Sequence, residues 1–276
     1  MRRRAYHHAM RSRTLVTLAA TLALVAGCAT RADTPSPDAL LSRVMPTPLL
    51  LVGEQHDASE HQRLQRDLVQ ALATRGQLAA VVMEMAEAGH DTRGLARDAD
   101  EAAVRAALGW NEQHNWPWPT YRPVVMAAVR AGVPVVGGNL PRNRMREAMG
   151  DAALDASVTP PVLLQQREAI RTGHCDLLPE TQLGPMTRIQ LARDRTLAQV
   201  ATAQLAAGRT VLLIAGNGHV RGDLGVPRHL SPGQAHRVIV ARAGKAGADV
   251  PADAHWDTPA LPETDHCAGL RARFKR

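Results

Sequence analysis

The chain has 276 residues, 45% of them hydrophobic, and a formal net charge of +7, which gives apolar material for one sizeable core and a charge that raises nucleic acid as a partner. The charge sits at the ends: residues 1–27 hold five Arg (Arg2, Arg3, Arg4, Arg11, Arg13) and no acid, so 7 − 5 leaves +2, and Arg271, Arg273, Lys275 and Arg276 bring the remainder to 2 − 4 = −2. A body near neutrality lacks the basic stripe that phosphate contacts need, which argues against a nucleic-acid binder.

The first predicted element is a targeting segment. MRRRAYHHAMRSR is a basic n-region, and TLVTLAATLALVAG is an apolar run of h-region length, short for a membrane span. It ends in Val25-Ala26-Gly27-Cys28, small residues directly before a cysteine, the pattern of a bacterial lipobox. Residues 1–27 are therefore expected to be a lipoprotein signal peptide. Lipidation of Cys28 would anchor the protein to a membrane, facing the periplasm or the cell surface. Ala29 rather than Asp follows the cysteine, which favours the outer membrane. The other reading is an ordinary cleaved leader followed by a chance cysteine. Residues 28–44, opening with ATRADTPSPD, read as a flexible tether, and 45–276 as a single domain.

From there the pattern alternates. PLLLVGE (48–54) is a short apolar run ended near Gly53, a buried strand. The next segment has Leu64, Leu68, Ala71 and Leu72 at helical spacing, with Asp57 or Ser59 as its cap and Gly76 at its end. LAAVVMEM (78–85), VPVVGGN (133–139), TVLLIAGNG (210–218) and RVIVARAG (237–244) are further strands. Helical segments precede the third strand, and residues 141–208 read as helices without a strand. Strands apolar on both faces and separated by helices predict an α/β fold: a mainly parallel sheet covered by helices, with a helical insertion at about 141–208. Residues 245–270 read as irregular.

Ligands of open parallel sheets bind outside the carboxyl ends of the strands. The residues arriving there are Glu54 and His56, Glu84, Asn139, and His219 after Gly216-Asn217-Gly218. Imidazoles with carboxylates can hold a divalent metal or run acid–base chemistry. His61, one turn into the following helix, reads as a surface residue. Arg193-Asp194, with Gln190, reads as a solvated helix face unless that helix packs over the crevice.

Two other stretches stand out. Three of the four Trp fall in GWNEQHNWPWPTY (109–121), beside His114 and Tyr121, the only tyrosine outside the leader. This cluster is either a flat surface for a planar ligand or a loop locked to the core. Thr172-Gly173-His174-Cys175 either binds a metal or haem, or is a helix cap with a structural cysteine. Beyond Cys28, Cys175 and Cys267 remain, which permits one disulfide or two free thiols.

The lipobox, LLLVGEQHDASEHQRLQ, VVMEM, WPTYRP, VPVVGGNLPR, GHCDLLP, QLARDRTLA and LLIAGNGHVRGDLGVP resemble, in order over about residues 48–242, the ChaN-type haem-binding lipoproteins. The two Gly-x-x-His elements, Gly53 to His56 and Gly216 to His219, also resemble the wider superfamily of TIKI/TraB proteins and erythromycin esterases. The first resemblance implies a binding protein rather than an enzyme. It implies haem or iron uptake, non-covalent haem as the cofactor, a homodimer with cofacial haems, and a haem receptor or transporter as partner. Tyr121 is then the expected iron ligand and His174 the second cofactor-binding residue; Arg142 and Arg144, by their place just after the third strand and not by the resemblance, are candidate partners for propionates. The second resemblance implies the alternative, a metal-dependent or His/Glu-based hydrolase whose catalytic residues would be Glu54, His56, Glu84 and His219.

Overall fold

The computed structural model describes residues 35–112, 116–244 and 250–274. The expected signal peptide, Cys28, the start of the tether and His114 lie outside the described residues.

Four strands are apolar enough to be buried on both faces: β1 (Leu49–Glu54), β2 (Leu78–Glu87), β3 (Val135–Asn139) and β4 (Thr210–Gly216). With β5 (Arg237–Ala243) and β6 (Ala254–Thr258) they form one sheet in the order β3-β2-β4-β1-β5-β6, and every neighbouring pair is parallel. Side chains alternate with a period of two, so Leu50 and Val52 point to one face and Leu49 and Leu51 to the other. The first face is covered by α2 (Ser59–Thr74) and α4 (Trp118–Ala131), and the second by α7 (Glu180–Ala203) through Leu197, Ala198 and Ala201. Each fully buried Leu adds about 1.5–3 kcal/mol, so the alternating pattern fixes the register.

Shorter elements complete the chain. α3 (Glu101–Ala107) precedes α4. Between β3 and β4 run a 3-10 turn at Arg142–Arg144, α5 (Met145–Gly150), a second 3-10 turn at Ala152–Ser157, α6 (Pro160–Gly173) and α7. This stretch is helical as expected for 141–208. α8 (Asn217–Val220) is a single turn after β4, and α9 (His266–Phe274) lies near the C-terminus.

Two expectations are corrected. Residues 28–44 are not a tether to their end, because Pro37–Val44 form α1. Ser36 Oγ accepts the Ala39 N–H at 3.2 Å, and Pro37 opens the helix without losing a needed donor. Leu40, Leu41 and Val44 then pack into the core. Within 245–270, expected irregular, Ala254–Thr258 pair with β5 as the edge strand. Its mixed burial hid it, since an edge strand needs no continuous apolar run. Cys175 and Cys267 form a disulfide that ties α9 to the turn after α6.

Candidate functional site

The strand ends deliver the side chains expected there. Glu54, the last residue of β1, is buried, and its carboxylate gathers four donors. Oε1 accepts from the Tyr121 hydroxyl at 2.6 Å and from His56 Nδ1 at 2.6 Å. Oε2 accepts from Gln62 Nε2 at 2.8 Å and from Gln65 Nε2. The two glutamines stand three residues apart on the first turns of α2, on the face turned to Glu54; they end the stretch LLLVGEQHDASEHQRLQ, but the sequence did not assign them a role.

Glu84 lies inside β2, where the β2–β3 register shifts between Met83 and Glu87. Such an irregularity re-aims a side chain out of the ladder. Its Oε2 accepts the Gly216 N–H at 2.7 Å, and its Oε1 is 3.3 Å from His219 Nε2. His219 Nδ1 is 2.6 Å from Asp194 Oδ1 on α7. Asp194 is fully buried, so α7 does pack over the rim and the solvated-face reading of Asp194 is corrected. His56 Nε2 lies 3.8 Å from Glu84 Oε2, which joins the two halves. Carboxylates and imidazoles therefore alternate from Asp194 through His219, Glu84 and His56 to Glu54 and Tyr121.

Glycine permits this packing. A Cβ on Gly216 would sit 2.8 Å from His56 Nε2, and one on Gly53 would collide with Asn217 and Val220.

The charges follow from the geometry. Burial lowers the pKa of His219, but the Glu84 and Asp194 carboxylates outweigh it and hold the imidazolium up to about 10. Burial raises Glu84, yet the His219 charge and hydrogen bond, His56 and the Gly216 N–H keep it well below the carboxylate range. Burial pushes Asp194 up despite His219. Glu84 is thus the firmer partner of the imidazolium, having two imidazoles and a backbone donor. For His56, the hydrogen bond to Glu54 and the charges of Glu84 and Glu54 exceed the cost of burial, so its pKa rises. It is the one member of the chain open to solvent, with 39% of its side chain exposed and the Trp116 ring edge-on at 4.6 Å.

His61, expected at the surface, is fully buried. Its Nδ1 accepts the Gln55 N–H at 3.0 Å and its Nε2 faces Thr258 Oγ1 at 3.3 Å, while burial lowers its pKa. Among the described residues no three or more His, Cys, Asp or Glu are arranged as ligands of one metal ion. Glu54, His56, Glu84 and His219 bond one another instead.

The two side chains expected to hold haem lie in different surroundings. Tyr121 is 1% exposed, between Trp110 and Trp116, and donates its proton to Glu54. Burial and that carboxylate raise its pKa far above the usual phenol range, so in this arrangement the proton stays on the hydroxyl. The Trp/Tyr cluster is the locked loop, not the flat exposed surface. His174 caps α6, half-buried at the surface. Its Nδ1 is 2.8 Å from the Ile170 carbonyl. Donation there would leave Nε2 as the acceptor nitrogen of the ring. Cys175 and Asp176 follow at φ +58° and +57°, and the disulfide pins the turn. Arg144 pairs with Glu147, whereas Arg142 lines a crevice beside the network.

A family model described as "Haem-binding uptake, Tiki superfamily, ChaN" matches residues 40–230. The chain belongs to that family. A solved structure described as "Cofacial heme binding to ChaN of Campylobacter jejuni" aligns over 75% of this chain and 86% of that one, at 24% identity and a TM-score of 0.62. At that identity the likeness shows the shared fold. The type III effector HopBA1 aligns over 83% of this chain and 94% of its own at 16% identity and a TM-score of 0.45, and no functional argument rests on it. A search of curated proteins found no match.

Proposed function

We propose that this member of the haem-binding uptake family carries haem non-covalently against its surface, with His174 Nε2 as the iron ligand. Family membership over residues 40–230 carries the reading, and the half-buried position of His174 at the end of α6, with Nδ1 held by the Ile170 carbonyl, supports the ligand. The chain has no Cys-x-x-Cys-His attachment motif, so the haem is exchangeable. A porphyrin lying on a surface leaves one face uncovered, and a second copy with its own haem covers it. The cofacial haem of the Campylobacter protein is the precedent for that dimer. The lipobox at Val25-Ala26-Gly27-Cys28 supports a lipid anchor on a membrane facing the periplasm or cell surface, with haem or iron passed to a receptor or transporter.

Haemin titration of the purified chain, followed by absorbance and by mass, tests the reading. Wild type and Tyr121→Phe are expected to give the same Soret band and a doubling of mass. His174→Ala is expected to lose or shift the band. No Soret band in wild type overturns haem binding, and a band altered only in Tyr121→Phe overturns the ligand.

One observation favours a second reading, hydrolysis with His56 as acid–base. His56 is open to solvent, backed by Glu54 and Glu84, and adjoins a crevice. An esterase and peptidase screen of wild type against His56→Ala decides it: activity lost with the imidazole supports it, and inactive wild type removes it.

A further inference from the structure

The helix α9 is covalently attached to the turn that carries His174 and is otherwise loosely held. Cys267, in its first turn, is bonded to Cys175 across 92 residues, with a Cα–Cα distance of 5.9 Å. Of residues 266–272 only Cys267 and Leu270 are half-buried, and the rest are exposed. The hydrogen bonds of residues 264–271 stay inside that stretch. Asp265 accepts from the N–H groups of Cys267 and Ala268 and pairs with Arg271, and Thr264 Oγ1 meets His266 Nε2. With so little apolar burial, packing holds α9 weakly, and the disulfide fixes its place.

The other end of the bond lies in an unfavourable stretch of backbone. Cys175 (φ +58°) and Asp176 (φ +57°) are the non-glycine residues with positive φ among the described residues. A Cβ crowds the backbone there, so two such residues in succession persist only where the surroundings hold them. Hydrogen bonds supply part of that hold. The Cys175 N–H donates to the Thr172 carbonyl at 2.9 Å, and the Asp176 N–H to the Arg171 carbonyl at 3.0 Å. The Cys175 Sγ bond adds a covalent hold one residue from His174. His174 sits at the joint. On one side its Nδ1 lies 2.8 Å from the Ile170 carbonyl, and on the other its own carbonyl accepts the Leu177 N–H at 3.1 Å, across the left-handed pair.

We propose that the Cys175–Cys267 disulfide is a positioning bond for the haem ligand, holding the turn so that His174 is set before haem arrives. The inference rests on His174 as the iron ligand and extends that reading. A side chain set in advance avoids an ordering cost on binding, and reduction restores that cost by freeing α9 and the turn. Both cysteines are half-buried, within reach of a small dithiol. In the exchange the dithiol gives up two electrons and two protons, closes to its own cyclic disulfide, and leaves Cys175 and Cys267 as thiols.

Haemin titration of three forms of the purified full chain tests it, with urea midpoints measured alongside because a bond closing so long a loop also stabilises the fold. The forms are oxidised wild type, wild type reduced with dithiothreitol, and the double variant Cys175→Ser/Cys267→Ser. All are capped with iodoacetamide and desalted first, so that no free thiolate meets the iron. The reduced and double-serine forms are expected to bind haemin at least about tenfold more weakly, with the Soret band moved toward that of His174→Ala. Reduction of His174→Ala should weaken it no further. Lower urea midpoints with affinity and Soret band unchanged mean that the bond only staples the C-terminus, and overturn the proposal. An equal further loss in reduced His174→Ala shows that the bond acts elsewhere, and also overturns it. Should the double-serine form fail to fold, the reduced and capped wild type decides. Absence of a Soret band in oxidised wild type removes the haem reading and this inference together, whereas a band indifferent to reduction removes this inference alone.

Discussion

His219 lies between Asp194 at 2.6 Å and Glu84 at 3.3 Å, at 6% exposure, so its charge belongs to the fold. Its pKa rises from the ordinary 6.5 to about 10 in the native chain. Below pH 6.5 both folded and unfolded chains hold the proton, and the stabilisation is fully present. Between 6.5 and about 10 only the native chain holds it, so stability falls as pH rises. Glu84 acts in the opposite sense, since its depressed pKa stabilises above 4.5 and that is lost on acidification. Urea midpoints measured from pH 6 to 10 should decline in wild type and flatten in His219→Gln. Parallel profiles would show that the imidazolium is not the group responsible. At this scale the sequence announced the acceptors but not their company. Glu54, His56, Glu84 and His219 were readable because strand ends expose them to a crevice. Gln62, Gln65 and Asp194 were not, because their roles depend on which face of α2 and α7 turns inward. The setting of Tyr121 was hidden for the same reason: aromatic scarcity marks it, but only packing shows that its hydroxyl donates to Glu54.

Among the elements, α1 is the one that composition concealed. Eight residues between prolines carry too little periodicity to separate a helix from a linker, yet Leu40, Leu41 and Val44 reach the core. Leu41→Ala should cost about 2–5 kcal/mol in urea denaturation, as for any well-packed leucine. Leu164→Ala, at a side chain 64% exposed, should change stability by no more than about 0.5 kcal/mol. Equal effects would mean that residues 37–44 are peripheral after all. The central strands were legible because burial on both faces demands continuous apolar runs, and β6 was not, because an edge strand buries one side only in part.

Across the whole molecule, the network spans the ends of β2, β4 and β1 and the crevice lies at β2 and β3, while His174 stands on the helical insertion. A doubling of mass on haemin addition would then report a contact made by the insertion, without requiring the strand ends to move. The opposite edge bears the chain's point of entry. Trp256 on β6 donates its Nε1 proton to the Pro35 carbonyl at 3.0 Å, and α1 packs alongside. Five strand spacings of roughly 4.8 Å separate β6 from β3, about 24 Å in all. That single indole bond acts as a mooring that fixes residues 35–44 to the β6 margin, and the crevice lies at the far margin beside β3.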